Sequence, residues 1–199
     1  MRIALAWMRL ALAWTAIAAA VAAVVASVAI LVSGCAHTPR GHLEEGARHD
    51  RICAGDVCYR VGALDERWRL VHQKGTAVGF YNDAVGAVIE ANATCRDDAD
   101  AAPLRALTRQ LLIGYTERNI EEQQKVPLDQ REALRTRVTA KLDGVPMTLE
   151  LYVMKRNGCI FDLSYAAPPD AFARGAGDFQ RFVDGFADVR EVQASRGGP

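Results

Sequence analysis

The chain has 199 residues, half of them hydrophobic, with 24 basic side chains against 24 acidic ones. This length suits one domain of ordinary size with appendages, and the apolar content excludes wholesale disorder. A formal charge of zero argues against a nucleic-acid binder, which must neutralise many phosphates.

The composition is uneven along the chain. No residue from Leu10 to Ser33 is charged, and Arg2 and Arg9 precede this run. A short basic region, an apolar stretch and small residues at its end are the three parts of an export signal. The closing sequence Leu31-Val32-Ser33-Gly34-Cys35 resembles a bacterial lipobox. Small side chains at Ser33 and Gly34 let a peptidase approach extended backbone, and only a thiol forms the thioether to a diacylglyceryl group. The resemblance implies that residues 1–34 are a lipoprotein signal peptide and that Cys35 becomes a lipidated amino terminus carrying palmitate-type chains. Each buried methylene contributes about 0.8 kcal/mol, so two or three acyl chains would hold the protein stably at a membrane. An uncleaved membrane helix is the competing reading, because the 24 uncharged residues would span about 36 Å. Ala36 follows the cysteine where an aspartate would mark inner-membrane retention in enterobacterial lipoproteins. The expected location is therefore the cell envelope, at the periplasmic face of the outer membrane.

Residues 35–51 have few apolar positions and no periodicity, and are read as a flexible tether. The four remaining cysteines, Cys53, Cys58, Cys95 and Cys159, are an even number in an exported chain and allow three disulfide connectivities. Cys53 with Cys58 around Ala-Gly-Asp-Val, and Cys95 with Cys159, is the favoured set. A zinc site built from His37, His42 and His49 with Cys53 and Cys58 would lack a structured first shell, and neither metal nor cofactor is expected.

The segment 52–190 reads as one folded domain, followed by a disordered tail at 191–199. Val57–Val61, Trp68–His72, Thr76–Tyr81 and Val85–Thr94 are predicted strands, with a turn at Asn82-Asp83-Ala84. Pro103 opens a helix in which Leu104, Leu107, Leu111 and Tyr115 recur at helical spacing. Glu117–Pro127 reads as an exposed polar loop. Asp143-Gly144 is a two-residue hairpin turn that pairs Val138 with Leu149, Thr136 with Leu151, Leu134 with Val153, Arg137 with Glu150 and Arg135 with Tyr152. The next turn is read as the three-residue loop Arg156-Asn157-Gly158, placing Phe161 beside Val153, Leu163 beside Leu151 and Tyr165 beside Leu149. A two-residue loop would instead put Asp162 and Ser164 on the apolar face, at about 1 to 3 kcal/mol per unpaired buried polar group. Gly175-Ala-Gly177 reads as a flexible loop, and Asp178 as the cap of a closing helix with the apolar stripe Phe179, Phe182, Val183 and Phe186.

Strands, a helix, an antiparallel meander and a final helix give an α+β fold, an antiparallel sheet flanked by helices as an α/β/α sandwich. The hairpin Arg135–Gly144, the strands Leu149–Met154 and Gly158–Leu163, and the closing segment Phe179–Phe186 resemble the PsbP and DcrB-like family of envelope lipoprotein domains. The resemblance covers about residues 60–189 and rests on element order and apolar pattern. It implies an accessory or binding role without catalysis.

Catalytic chemistry is sparse in this chain. After the tether the only histidine is His72, and after Cys35 the only serines are Ser164 and Ser195. A hydrolase would have to join His72 to Ser164, which lacks a Gly-x-Ser-x-Gly elbow. Asp97, Asp98 and Asp100 precede a helix and are read as dipole-complementing residues, ahead of a calcium site. Arg135, Arg137 and Tyr152, with Met154 and Ile160 on the same side, form the sheet face predicted to dock a protein partner. The sequence thus reads as a lipid-anchored, non-enzymatic binding or accessory subunit of an envelope complex.

Overall fold

A computed structural model describes residues 42–43, 51–96, 99 and 101–189. The export signal, Cys35, His37, His49, Asp97, Asp98, Asp100 and the tail lie outside these residues. In chain order the elements are β1 (His42–Leu43), β2 (Arg51–Ala54), β3 (Val57–Arg60), β4 (Arg69–Lys74), β5 (Ala77–Asn82) and β6 (Ala87–Cys95). Then come α1 (Leu104–Leu111), β7 (Tyr115–Leu128), β8 (Arg131–Leu142), β9 (Val145–Arg156), β10 (Cys159–Ala167), α2 (Phe172–Asp184) and β11 (Ala187–Asp188). A seven-stranded antiparallel sheet runs β4-β5-β6-β10-β9-β8-β7, and β1-β2-β3-β11 form a smaller one. Strand β1 falls inside the segment expected to be a tether, where His42 pairs with Cys53 and Leu43 with Ile52.

The two helices cover opposite faces of the large sheet. Helix α2 lays Phe179, Phe182 and Val183 on Phe80, Ile89, Phe161, Leu163 and Tyr165, which with Tyr152 and Met154 form the main core. Helix α1 and the residue after it place Leu107, Leu111 and Leu112 over Val138, Leu149, Leu151, Val153 and Ile160. Such two-sided cover is the α+β sandwich expected from the element order.

Two-residue turns close both central hairpins. Asp143 and Gly144 have φ of 50° and 84°, and Asn157 and Gly158 have 50° and 71°, the paired left-handed conformations whose twist matches the flanking strands. The β8–β9 register agrees residue for residue with the sequence reading, from Leu134 with Val153 to Val138 with Leu149. The β9–β10 register differs by one residue. Phe161 pairs with Met154, Leu163 with Tyr152 and Tyr165 with Glu150. The expected three-residue loop assumed a single apolar face, whereas this sheet is covered on both. Phe161, Leu163 and Tyr165 consequently face α2, Asp162 and Ser164 face the α1 side, and Ile160 lies opposite Tyr152 and Met154.

Three further expectations are corrected. The segment Glu117–Pro127 is not a loop but most of β7, a long edge strand that among the described residues is hydrogen-bonded to β8 alone. It carries polar residues on both faces, so no alternation marks it, and its charges guard an open edge. Tyr115 begins this strand and does not continue α1. Helix α2 starts at Phe172, so Gly175, Ala176, Gly177 and Asp178 are helical. Asp178 is no cap: it is buried, accepts a 2.9 Å hydrogen bond from Trp68 Nε1, and pairs with Arg67 and Arg181.

A candidate binding cavity beside helix α1

Helix α1 covers β8, β9 and the Ile160 end of β10. Beside it the sheet floor is open, forming a cavity of about 450 Å³. Three rows of cross-strand neighbours build the floor. Asn92 pairs with Asp162, and Asp162 with Val153; Glu90 pairs with Ser164, and Ser164 with Leu151; Val88 pairs with Ala166, and Ala166 with Leu149. Tyr115, Leu142 and Met147 wall one end, and Leu111 and His72 also line the cavity. A second cavity of about 260 Å³ shares Asn92, Leu111 and Asp162 and extends towards Thr94 and Arg96.

The polar side is a short network. Ser164 Oγ donates to Glu90 Oε2 at 3.4 Å, Thr76 Oγ1 donates to Asn92 Oδ1 at 3.3 Å, and Asn92 Nδ2 lies 3.4 Å from Thr94 Oγ1. Burial pushes the Asp162 carboxyl up to about 7; the hydrogen bond from Asn92 opposes this and the Glu90 charge adds to it. Burial, then Glu90, also raises the Tyr115 hydroxyl.

Both residues of the sequence-derived hydrolase pair, His72 and Ser164, line this cavity, but in an order that separates them. Across the strands the row runs His72, Gly79, Glu90, Ser164. Three strand spacings of about 4.8 Å put the His72 and Ser164 backbones about 14 Å apart. The neighbour of the serine is a carboxylate, and a Ser-His-Asp triad requires the imidazole there. Gly79 keeps the middle of the row low: a Cβ on it would lie 3.5 Å from His72 Cβ and 3.6 Å from Glu90 Oε1.

Arg135, Arg137 and Tyr152 lie on the opposite face, where they hold the fold together. Arg135 Nε donates to Glu150 Oε1 at 2.6 Å and Arg137 Nη2 to Glu150 Oε2 at 2.8 Å, with Glu150 buried. The Arg137 guanidinium sits 5.3 Å from the Phe172 ring centre. Tyr152 is buried, packs its ring edge against Phe179 and donates to Gln180 Oε1 at 3.3 Å. Arg137 and Tyr152 thus contact α2, and Arg135 holds Glu150.

The structure joins Cys53 to Cys58 across the β2–β3 hairpin and Cys95 to Cys159 between β6 and β10, with Cα separations of 4.2 and 4.0 Å. Among the described residues no group of histidine, cysteine and carboxylate side chains is arranged to hold a metal. The sequence reading passed over Glu90, Asn92 and Asp162 as site residues. A signal was present: Cys95 opposite Cys159 sets the register that brings Asn92 to Asp162 and Glu90 to Ser164.

No protein-family model matches the chain, and no curated protein matches it in sequence. Its fold does have solved counterparts. The solution structure of the cyanobacterial PsbP protein CyanoP from Synechocystis is similar with a TM-score of 0.53 at 11% identity, over 78% of this chain and 96% of that one. LpqN of Mycobacterium tuberculosis, described as involved in cell envelope biogenesis, is similar with a TM-score of 0.49 at 14% identity, over 71% of this chain and 91% of that one. The architecture and the CyanoP likeness together show that the domain has an α+β, PsbP-like fold.

Proposed function

We propose that this chain is a lipid-anchored, non-enzymatic protein of the bacterial envelope that acts as a binding or accessory subunit, at the periplasmic face of the outer membrane. One observation carries the binding role: a cavity of about 450 Å³ with a sorted polar and apolar lining, in the range of small-molecule sites. The order His72, Glu90, Ser164 across the sheet supports a role without catalysis, because the imidazole is kept away from the serine. The lipobox at Cys35 supports the anchor, and two disulfides suit an oxidising compartment. Metabolic labelling with an alkyne fatty acid should mark the wild type and leave Cys35→Ala unlabelled and released from membranes. Retained labelling in that variant would overturn the anchor. The competing reading is a hydrolase, favoured by the gathering of His72, Ser164, Glu90 and Asp162 in one cavity. A fluorophosphonate probe that labels the wild type and not Ser164→Ala would establish it in place of the binding reading.

A further inference from the structure

We infer that the cavity beside α1 binds an organic monocation with an alkyl chain, its ammonium group seated between Glu90 and Asp162 and its chain lying towards Leu142 and Met147. The inference rests on the binding role proposed above and assigns its ligand class. The polar and apolar residues are sorted along the strands. Moving from Asp162 through Ser164 to Ala166 on β10, and from Asn92 through Glu90 to Val88 on β6, the floor changes from acidic to apolar over four residues, about 13 Å. On β9 the same path passes Leu151 and Leu149 to Met147, and Tyr115 and Leu142 complete an apolar end. An amphiphile of that length matches the gradient with its charged group at one end.

The sign of the charge follows from the lining. Glu90 and Asp162 are both acidic, and among the described residues no lysine or arginine lines this cavity and the base it has is exposed His72 at its edge. Arg96 belongs to the adjoining cavity, beyond Asn92 and Asp162. Between Glu90 and Asp162 a cation satisfies two carboxylates through charge-assisted hydrogen bonds, which a fatty carboxylate would instead repel. Asp162, held up near 7 by burial, gains a reason to ionise when such a partner arrives.

The test uses the full lipidated chain in phosphatidylcholine nanodiscs, labelled with methyl-¹³C methionine and titrated with n-hexylammonium, hexanoate or hexanol. Met147 lines the cavity, while Met154 is buried on the other face and serves as an internal control. Hexylammonium should shift the Met147 methyl saturably, at least tenfold more tightly than hexanol or hexanoate, and leave Met154 unmoved. Glu90→Gln and Asp162→Asn, each with an unchanged Met154 signal, should weaken that binding at least tenfold. Equal affinity for hexanol or hexanoate would overturn the cationic ligand while leaving a binding cavity. A Met147 signal indifferent to all three probes would overturn both the ligand class and the cavity as the binding site.

Discussion

Asp162 shows how one side chain reports on its surroundings. It is enclosed by the sheet floor and α1, near Glu90 and hydrogen-bonded by Asn92, so its proton is held up to about 7 instead of the ordinary 3.8. The folded protein therefore binds a proton that the unfolded chain has released between about pH 4 and 7. By linkage, the stability carried by the neutral acid is fully present below about 3.8 and is lost as pH rises through about 7. Asp162→Asn removes this titration. The variant should gain stability over the wild type as pH rises from 4 to 8, by roughly 4 kcal/mol at the upper end, and a Tm difference that stays constant with pH would contradict this. Glu150 is a second buried carboxylate, held by Arg135 and Arg137 at 2.6 and 2.8 Å. Arginines read from sequence as a docking face are occupied by a partner within their own sheet. The turn made the Arg137–Glu150 pairing legible, but the burial of Glu150, which engages both arginines, belongs to the packed sheet.

At the scale of elements, the hairpins and the helices differ in how much they disclose. The β8–β9 register follows from the Asp143-Gly144 turn and from alternation, both local signals. The β9–β10 register departs from the expectation although its Asn157-Gly158 turn is as plain, because alternation alone disfavours Asp162 and Ser164 on a covered face. They are tolerated because the cover stops beside α1 and leaves a cavity. Helix α2 hid its first turns behind two glycines. Gly175 is required there: a Cβ would meet the Tyr165 hydroxyl oxygen at 2.5 Å, and that hydroxyl donates to Phe172 O at 2.8 Å. Gly175→Ala should cost about 2 kcal/mol in urea unfolding despite the better helix propensity of alanine, from overpacking. In a Tyr165→Phe background the same substitution should cost less, since the nearest atom is gone. Equal costs in the two backgrounds would show that the ring hydroxyl is not what excludes the methyl group.

Across the whole domain, the Cys95–Cys159 bond joins β6 to β10 across 64 residues, whereas Cys53–Cys58 closes a hairpin of separation 5. Chain entropy ranks them: losing the first should cost about 4 kcal/mol and losing the second about 2. Urea melts of the two paired Cys→Ala variants check the order, and a reversed ranking would mean that residual structure in the unfolded chain governs the effect. The long link also aligns the floor of the cavity, so the Cys95→Ala, Cys159→Ala pair bears on the site as well as on stability. By itself the sequence determined the α+β class, the presence of central hairpins and one of their registers, because turn chemistry and alternation act over a few residues. Only the tertiary structure decided that β7 is a strand, that α2 begins before its glycines, and that His72, Glu90, Asp162 and Ser164 share one cavity. Those outcomes depend on which helix covers which face and how far the cover extends, a property of packing between segments distant in the chain.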